Sequence, residues 1–194
     1  MTNDILEQIT EDYLRELGYF TQHNISYRPK DSKQTHSDID VLAIHPLKEI
    51  GDPNRVVVVS CKSEQRGIDI NEILNNLEKD PNKVIRGRSM SERFREIAFP
   101  IWSEALIEKI YKLSGQKEFV FYLAVSHYKG NKESFEDFNI FQDNLPNCQI
   151  KIIDLKEMIS TITSKITETP SHSELTRLLQ LMKSANLEIT IRGS

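Results

Sequence analysis

Apolar residues recur at helical spacing over residues 3–17, where Ile5, Leu6, Ile9, Tyr13, Leu14 and Leu17 form one stripe. Thr2 or Asn3 is placed to cap this helix, and Gly18 to end it. The period then shortens. Residues 19–28 predict a first strand, and residues 29–36 are polar and turn-like. Residues 37–44 follow as an apolar strand in which Asp38 and Asp40 occupy alternate positions. A connection through Pro46, Gly51 and Pro53 leads to four consecutive valines, Val56 to Val59, which read as a buried central strand running into Ser60-Cys61-Lys62. Further on, the pattern predicts a helix over residues 68–78 and another over residues 100–113, with Ile101, Trp102, Leu106, Ile110 and Leu113 toward a core. Strands are predicted over residues 119–126 and 149–155, helices over 155–166 and 172–184, and a short last strand over 187–191.

This order predicts an α/β protein with a mixed sheet. Three consecutive strands form a meander, and later strands entered through a helix pair in parallel. No Gly-rich loop follows the first strand, which excludes a doubly wound dinucleotide fold.

Composition narrows the class. With 194 residues, 38% hydrophobic and 28% charged, the chain can bury a real core. The net charge of −4 gives no global positive field, so contact with a polyanion must use a local patch. Cys61 and Cys148 are too few for a disulfide framework or a zinc quartet. Neither a signal peptide nor an apolar run of transmembrane length is present, so an intracellular, cytoplasmic protein without membrane contact is expected.

Side chains alternate faces along a strand, so Asp38 and Asp40 share one face, and Ser60, Lys62 and Glu64 another. If the two strands pair with those faces together, Asp40, Ser60 and Lys62 meet near the end of the sheet. Glu7 and Glu11 lie one turn apart beside the apolar stripe of the first helix, with Glu11 read as part of a solvated face. Between residues 80 and 97, Lys83, Arg86, Arg88, Arg93 and Arg95 form a basic stretch suited to phosphate contact, because arginine binds phosphate bidentately. Trp102 reads as a packing residue.

These residues resemble the PD-(D/E)XK nuclease superfamily, with its restriction-endonuclease-like fold, and are most similar to the Holliday-junction-resolvase-like and related small endonucleases. Glu7 ahead of Gly18-Tyr19, Asp40 in an apolar strand, and Lys62 closing Val58-Val59-Ser60-Cys61-Lys62 match its motifs in order and spacing. The resemblance spans roughly residues 3–155 and implies an αβββαβ core, with residues 64–100 as a helical and basic insertion and residues 156–194 as a helical extension packed on the same domain. It further implies a metal-dependent endonuclease hydrolysing DNA phosphodiester bonds in restriction, repair or defence. Magnesium or manganese would be held by Asp40, Glu7 and the Cys61 carbonyl, Lys62 would stabilise charge, and Gln65 would give support. DNA is the implied partner, with a homodimer or a larger defence or repair complex as further possibilities.

The chain departs from the family at Ser60, which stands where the second acid belongs. A hydroxyl is a poor substitute for a carboxylate at a hard cation. Asp38 and Glu64 are the candidate compensating acids. The alternative reading is a catalytically degenerate nuclease fold that binds nucleic acid or a protein partner.

Overall fold

The valine run forms the centre of the molecule because it can be buried on both sides. A computed structural model of the chain describes residues 4–30, 36–85, 87–167, 169, 171 and 173–187, apart from the side chains of Ile85, Arg88 and Ser91. In chain order its elements are α1 (Ile5–Glu16), β1 (Phe20–Tyr27), β2 (Ser37–Ile44), β3 (Val56–Lys62), β4 (Ile68–Asp69), α2 (Ile70–Lys79), β5 (Val84–Ile85), β6 (Arg88–Ser89), α3 (Met90–Arg93), α4 (Arg95–Ala98), α5 (Pro100–Ser114), β7 (Val120–Val125), β8 (Tyr128–Lys129), α6 (Lys132–Glu136), α7 (Asn139–Asn144), β9 (Gln149–Asp154), α8 (Leu155–Lys165) and α9 (Glu174–Ser184).

Five strands make a mixed sheet in the order β1-β2-β3-β7-β9. The first three pair antiparallel, and β7 and β9 add in parallel. This α/β sheet flanked by helices agrees with the meander and parallel crossovers predicted from the pattern. Alternation splits the core in two. Leu42, Val58, Phe121 and Ile152 face a layer that includes Ile73, Phe94, Ile97, Leu106 and Phe141 of α2–α7. Val41, Val57, Val59 and Ile153 face Leu6, Ile9 and Leu14 of α1, Met158 and Ile162 of α8, and Leu179 of α9. β1 and β9 are the edge strands, and Phe20 of β1 is exposed.

The first helix begins two residues later than the sequence suggested. Asp4 is its N-cap, accepting the Leu6 N–H at 2.8 Å, in place of Thr2 or Asn3. The chain leaves it through Gly18 at φ +90°, where an added Cβ would press on the His45 ring at 3.1 Å.

Two further differences have simple causes. Ile101 and Leu113 are exposed, because the buried line of α5 runs through Ser103, Leu106, Ile110 and Ser114 and both residues fall off it. Helices α6 and α7 escaped the pattern, being five and six residues long. They are fixed by the buried side chains of Phe135 and Phe141 and not by a readable period. The strand expected over residues 187–191 lies outside the described residues beyond Leu187. Among the described residues, no helix is long and apolar enough to cross a membrane.

Candidate active site

The β2–β3 ladder ends at Val41↔Val59, one rung before Asp40 and Ser60. On the other side of β2, the β1 pairing is interrupted between His23↔Val41 and Ile25↔Ile39, where Asn24 takes φ 51°. Asp40 is therefore the one residue of β2 with no ladder partner on either side. The strands part at this point, and the Asp40 carboxylate accepts the Cys61 N–H at 2.5 Å. Asp40 is thus fixed against β3 by a charge-assisted bond in place of backbone pairing.

Ser60 and Lys62 sit two apart on β3 and point the same way. Lys62 Nζ donates to Ser60 Oγ at 2.8 Å, and the Ser60 hydroxyl donates to Glu96 Oε1, also at 2.8 Å. Lys62 Nζ lies 3.4 Å from the same Glu96 oxygen. Glu96 comes from α4, and only 7% of it is exposed. Sequence reading had left it in the charged stretch after residue 80. The available signal was a single carboxylate between Phe94 and the apolar Ile97-Ala98-Phe99. A carboxylate buried in that setting needs a partner, and Lys62 with Ser60 supplies one.

The charges act on one another. Asp40 titrates above the ordinary aspartate range, chiefly because it is buried; Glu96 and Asp38 push the same way, while the Cys61 N–H and Lys62 oppose. Glu7 is also raised, first by burial and next by the Asp40 carboxylate. Glu7 of α1 therefore lies in the field of Asp40, although no hydrogen bond joins them. The Cys61 thiol is pushed well up by burial and then by Asp40.

Further contacts tie α1 to β1. Glu11 is held by Arg15 at 2.5 Å, His23 at 2.6 Å and the Thr21 hydroxyl at 2.8 Å. Burial alone would raise its pKa, but the bonds from Thr21 and His23 hold it below the ordinary glutamate range. Glu11 is thus a bonded, largely buried residue and not part of a solvated face.

Tyr27, at the end of β1, is buried beside the same charges. Glu96, the Ser37 side chain, Arg95 and Asp40 act on its hydroxyl. Burial raises its pKa far above the phenol range.

The other expected residues divide. Glu64 is engaged by Arg93 in an ion pair, which leaves neither the acid free to replace Ser60 nor the arginine free for phosphate. Asp38 is exposed and accepts from Ser26 Oγ at 2.5 Å. Gln65 is exposed in a turn. Lys83 donates to Asn76 Oδ1 at 3.2 Å, and the Arg95 guanidinium stacks 5.0 Å from the centre of the Trp102 ring. Trp102 packs edge-on to Tyr27 at 6.2 Å, in keeping with a packing residue. Arg86 and the Arg88 side chain lie outside the described residues.

Among the described residues, no three His, Cys, Asp or Glu side chains gather closely enough to cage a metal ion. The cysteines Cys61 and Cys148 are both free thiols. Comparison of the chain with protein-family models, with curated proteins and with solved structures finds no match.

Proposed function

We propose that the protein is a metal-dependent phosphodiesterase of the PD-(D/E)XK type, built on a restriction-endonuclease-like sheet and cutting DNA. The observation that carries this reading is the bond between Ser60 and Glu96. It brings a carboxylate from α4 to the place on β3 where the strand itself lacks one. Asp40, Glu96 and Lys62 would then serve as the acid, acid and lysine set that the strand sequence alone left incomplete.

The donor chemistry suits magnesium or manganese. Magnesium takes one or two carboxylates and completes its shell with water and phosphate oxygens, so a three-ligand protein cage is unnecessary. Asp40 and Glu96 would hold the ion, and Glu7 would act through water. When bound, it would supply Lewis-acid polarisation of the phosphate and an activated water. Asp40 and Glu7 are both raised, chiefly by burial, with Asp40 adding to the shift of Glu7 and Glu96 to that of Asp40, an environment that a cation relieves. The Cys61 N–H keeps Asp40 in place, Glu96 and Ser60 hold the Lys62 ammonium, and Lys62 offsets the charge that develops on the phosphorane.

The runner-up reading is a nuclease fold that binds nucleic acid without cutting it. It is favoured by the absence of a three-ligand cluster among the described residues. The test is incubation of supercoiled plasmid and branched DNA with magnesium or manganese, using wild type, Asp40→Ala and Glu96→Gln. Cutting by wild type that both substitutions remove supports hydrolysis. The same background in all three proteins sinks it.

A further inference from the structure

Leaving β1, the chain carries Arg28 and Lys30 on either side of the buried Pro29, and α5 runs alongside with Lys109 and Lys112 one turn apart. These four cations line two adjoining hollows that share Arg28 and Lys30. Two carboxylates, Glu104 and Glu108, line the same groove. Lys30 pairs with Glu108 at 3.0 Å, while Arg28, Lys109 and Lys112 have no ion-pair partner among the described residues. Glu108 titrates low because Lys30 bonds it and Lys112 and Lys117 add to the local positive field. The groove therefore has positive charge to spare in a chain whose net charge is −4.

Its position is as telling as its charge. Ser26 and Tyr27 line the groove together with Lys109 and Lys112. Ser26 bonds Asp38, two residues from Asp40, and the hydroxyl of Tyr27 lies in the field of Glu96 and Asp40. Tyr27 thus connects the lining of the groove with the charges of the candidate active site. In the stretch over residues 80–97, Arg93 is engaged by Glu64 and Arg95 stacks on Trp102.

We infer that the groove between the end of β1 and α5 is the track for the phosphate backbone of a nucleic acid, delivering it to Asp40 and Glu96, with Arg28, Lys109 and Lys112 as the contacts. This builds on the hydrolase reading, whose site it extends. Spacing supports it. Residues three apart on a helix lie about 5–6 Å from each other. Lys109 and Lys112 at that interval on α5 suit neighbouring phosphates.

The experiment is fluorescence anisotropy with a labelled duplex, without divalent metal, across a salt series. Lys109→Ala combined with Lys112→Ala should weaken binding roughly tenfold to a hundredfold at moderate salt and reduce the log–log salt slope by about 2. Removing two exposed lysines elsewhere, Lys79→Ala with Lys156→Ala, should leave the slope unchanged; circular dichroism checks that both variants fold. An unaltered slope in the groove variant, an equal loss in the control, or no binding by wild type overturns the track. Because binding is read without cleavage, the two ideas fail separately. A wild type that binds with the expected slope yet cuts nothing sinks the hydrolase and keeps the groove. A wild type that cuts while the groove variant binds unchanged sinks the groove alone.

Discussion

Ser60 donates its hydroxyl proton to Glu96 across 36 residues of chain, and both partners are buried. This bond joins the central strand to α4 at the place where β2 and β3 part. It also sets the geometry of Lys62, whose ammonium reaches both groups.

The bond makes Ser60 and Glu96 interchangeable only as a pair. Ser60→Glu alone places a second carboxylate against Glu96 in a buried site and should cost about 1–3 kcal/mol. The exchange Ser60→Glu with Glu96→Ser should recover most of that stability, giving a coupling energy of about 1–3 kcal/mol in a double-mutant cycle from urea unfolding. Additive losses would show that the two positions do not share one charge site. Cleavage restored by the exchange, after loss in Glu96→Ser, would tie the same pair to function.

Lys62→Met leaves the Glu96 carboxylate buried without its cation. The expected loss is about 2–4 kcal/mol, below that of a fully enclosed pair because 21% of the Lys62 side chain is exposed. Glu96→Gln in the same background should return part of it, since a neutral amide removes the uncompensated charge. Chemical denaturation of the three proteins decides the matter.

Asp40 and Glu7 give a pH signature of known sign. Both carry folded-state pKa values above their ordinary ones, chiefly through burial. The folded state therefore holds more protons than the unfolded state over this window, and each group's contribution turns unfavourable as pH rises. The change begins near the ordinary values of 3.8 for Asp40 and 4.5 for Glu7 and is complete above the raised folded values. Asp40→Asn, whose amide oxygen can still accept the Cys61 N–H, should match wild type in stability below that window and exceed it at neutral pH. Thermal unfolding over pH 3 to 8 tests this. Magnesium should raise the melting temperature of wild type and leave that of Asp40→Asn unmoved.

Tyr27→Phe separates stability from activity. The buried hydroxyl has at most one weak partner, the Ser37 side chain, so its removal should change stability by about 1 kcal/mol or less. If the hydroxyl serves substrate or water beside Asp40 and Glu96, DNA cleavage should fall while the fold is unaffected. A large loss of stability would show that the hydroxyl has a structural role.

Helix α9 packs in the same apolar cluster as α1, and a polar contact ties the two. Ser173 caps α9 and donates to Asp12, a buried residue of α1. Ser173→Ala removes the cap and leaves Asp12 without that donor, a loss of about 1–3 kcal/mol. Hydrogen exchange should rise first in α9, with β3 and β7 still protected. Uniform loosening of the whole chain would contradict this.

The fold was legible wherever a period was long enough to read. The stripe of α1, the four valines of β3 and the apolar runs of β2, β7 and β9 placed these elements within a residue or two, because burial of a strand or helix face imposes its spacing on the sequence. The face shared by Ser60 and Lys62 followed from strand alternation alone. Tertiary structure decided the rest. Glu96 lies 36 positions from Ser60, on a four-residue helix with no period, and only folding brings it to β3. Glu64, which strand parity had suggested, is taken by Arg93, a pairing no local pattern encodes. Local spacing fixes which way a side chain points, whereas the partner it meets depends on how distant elements pack, and at this site the chemistry depends on the partner.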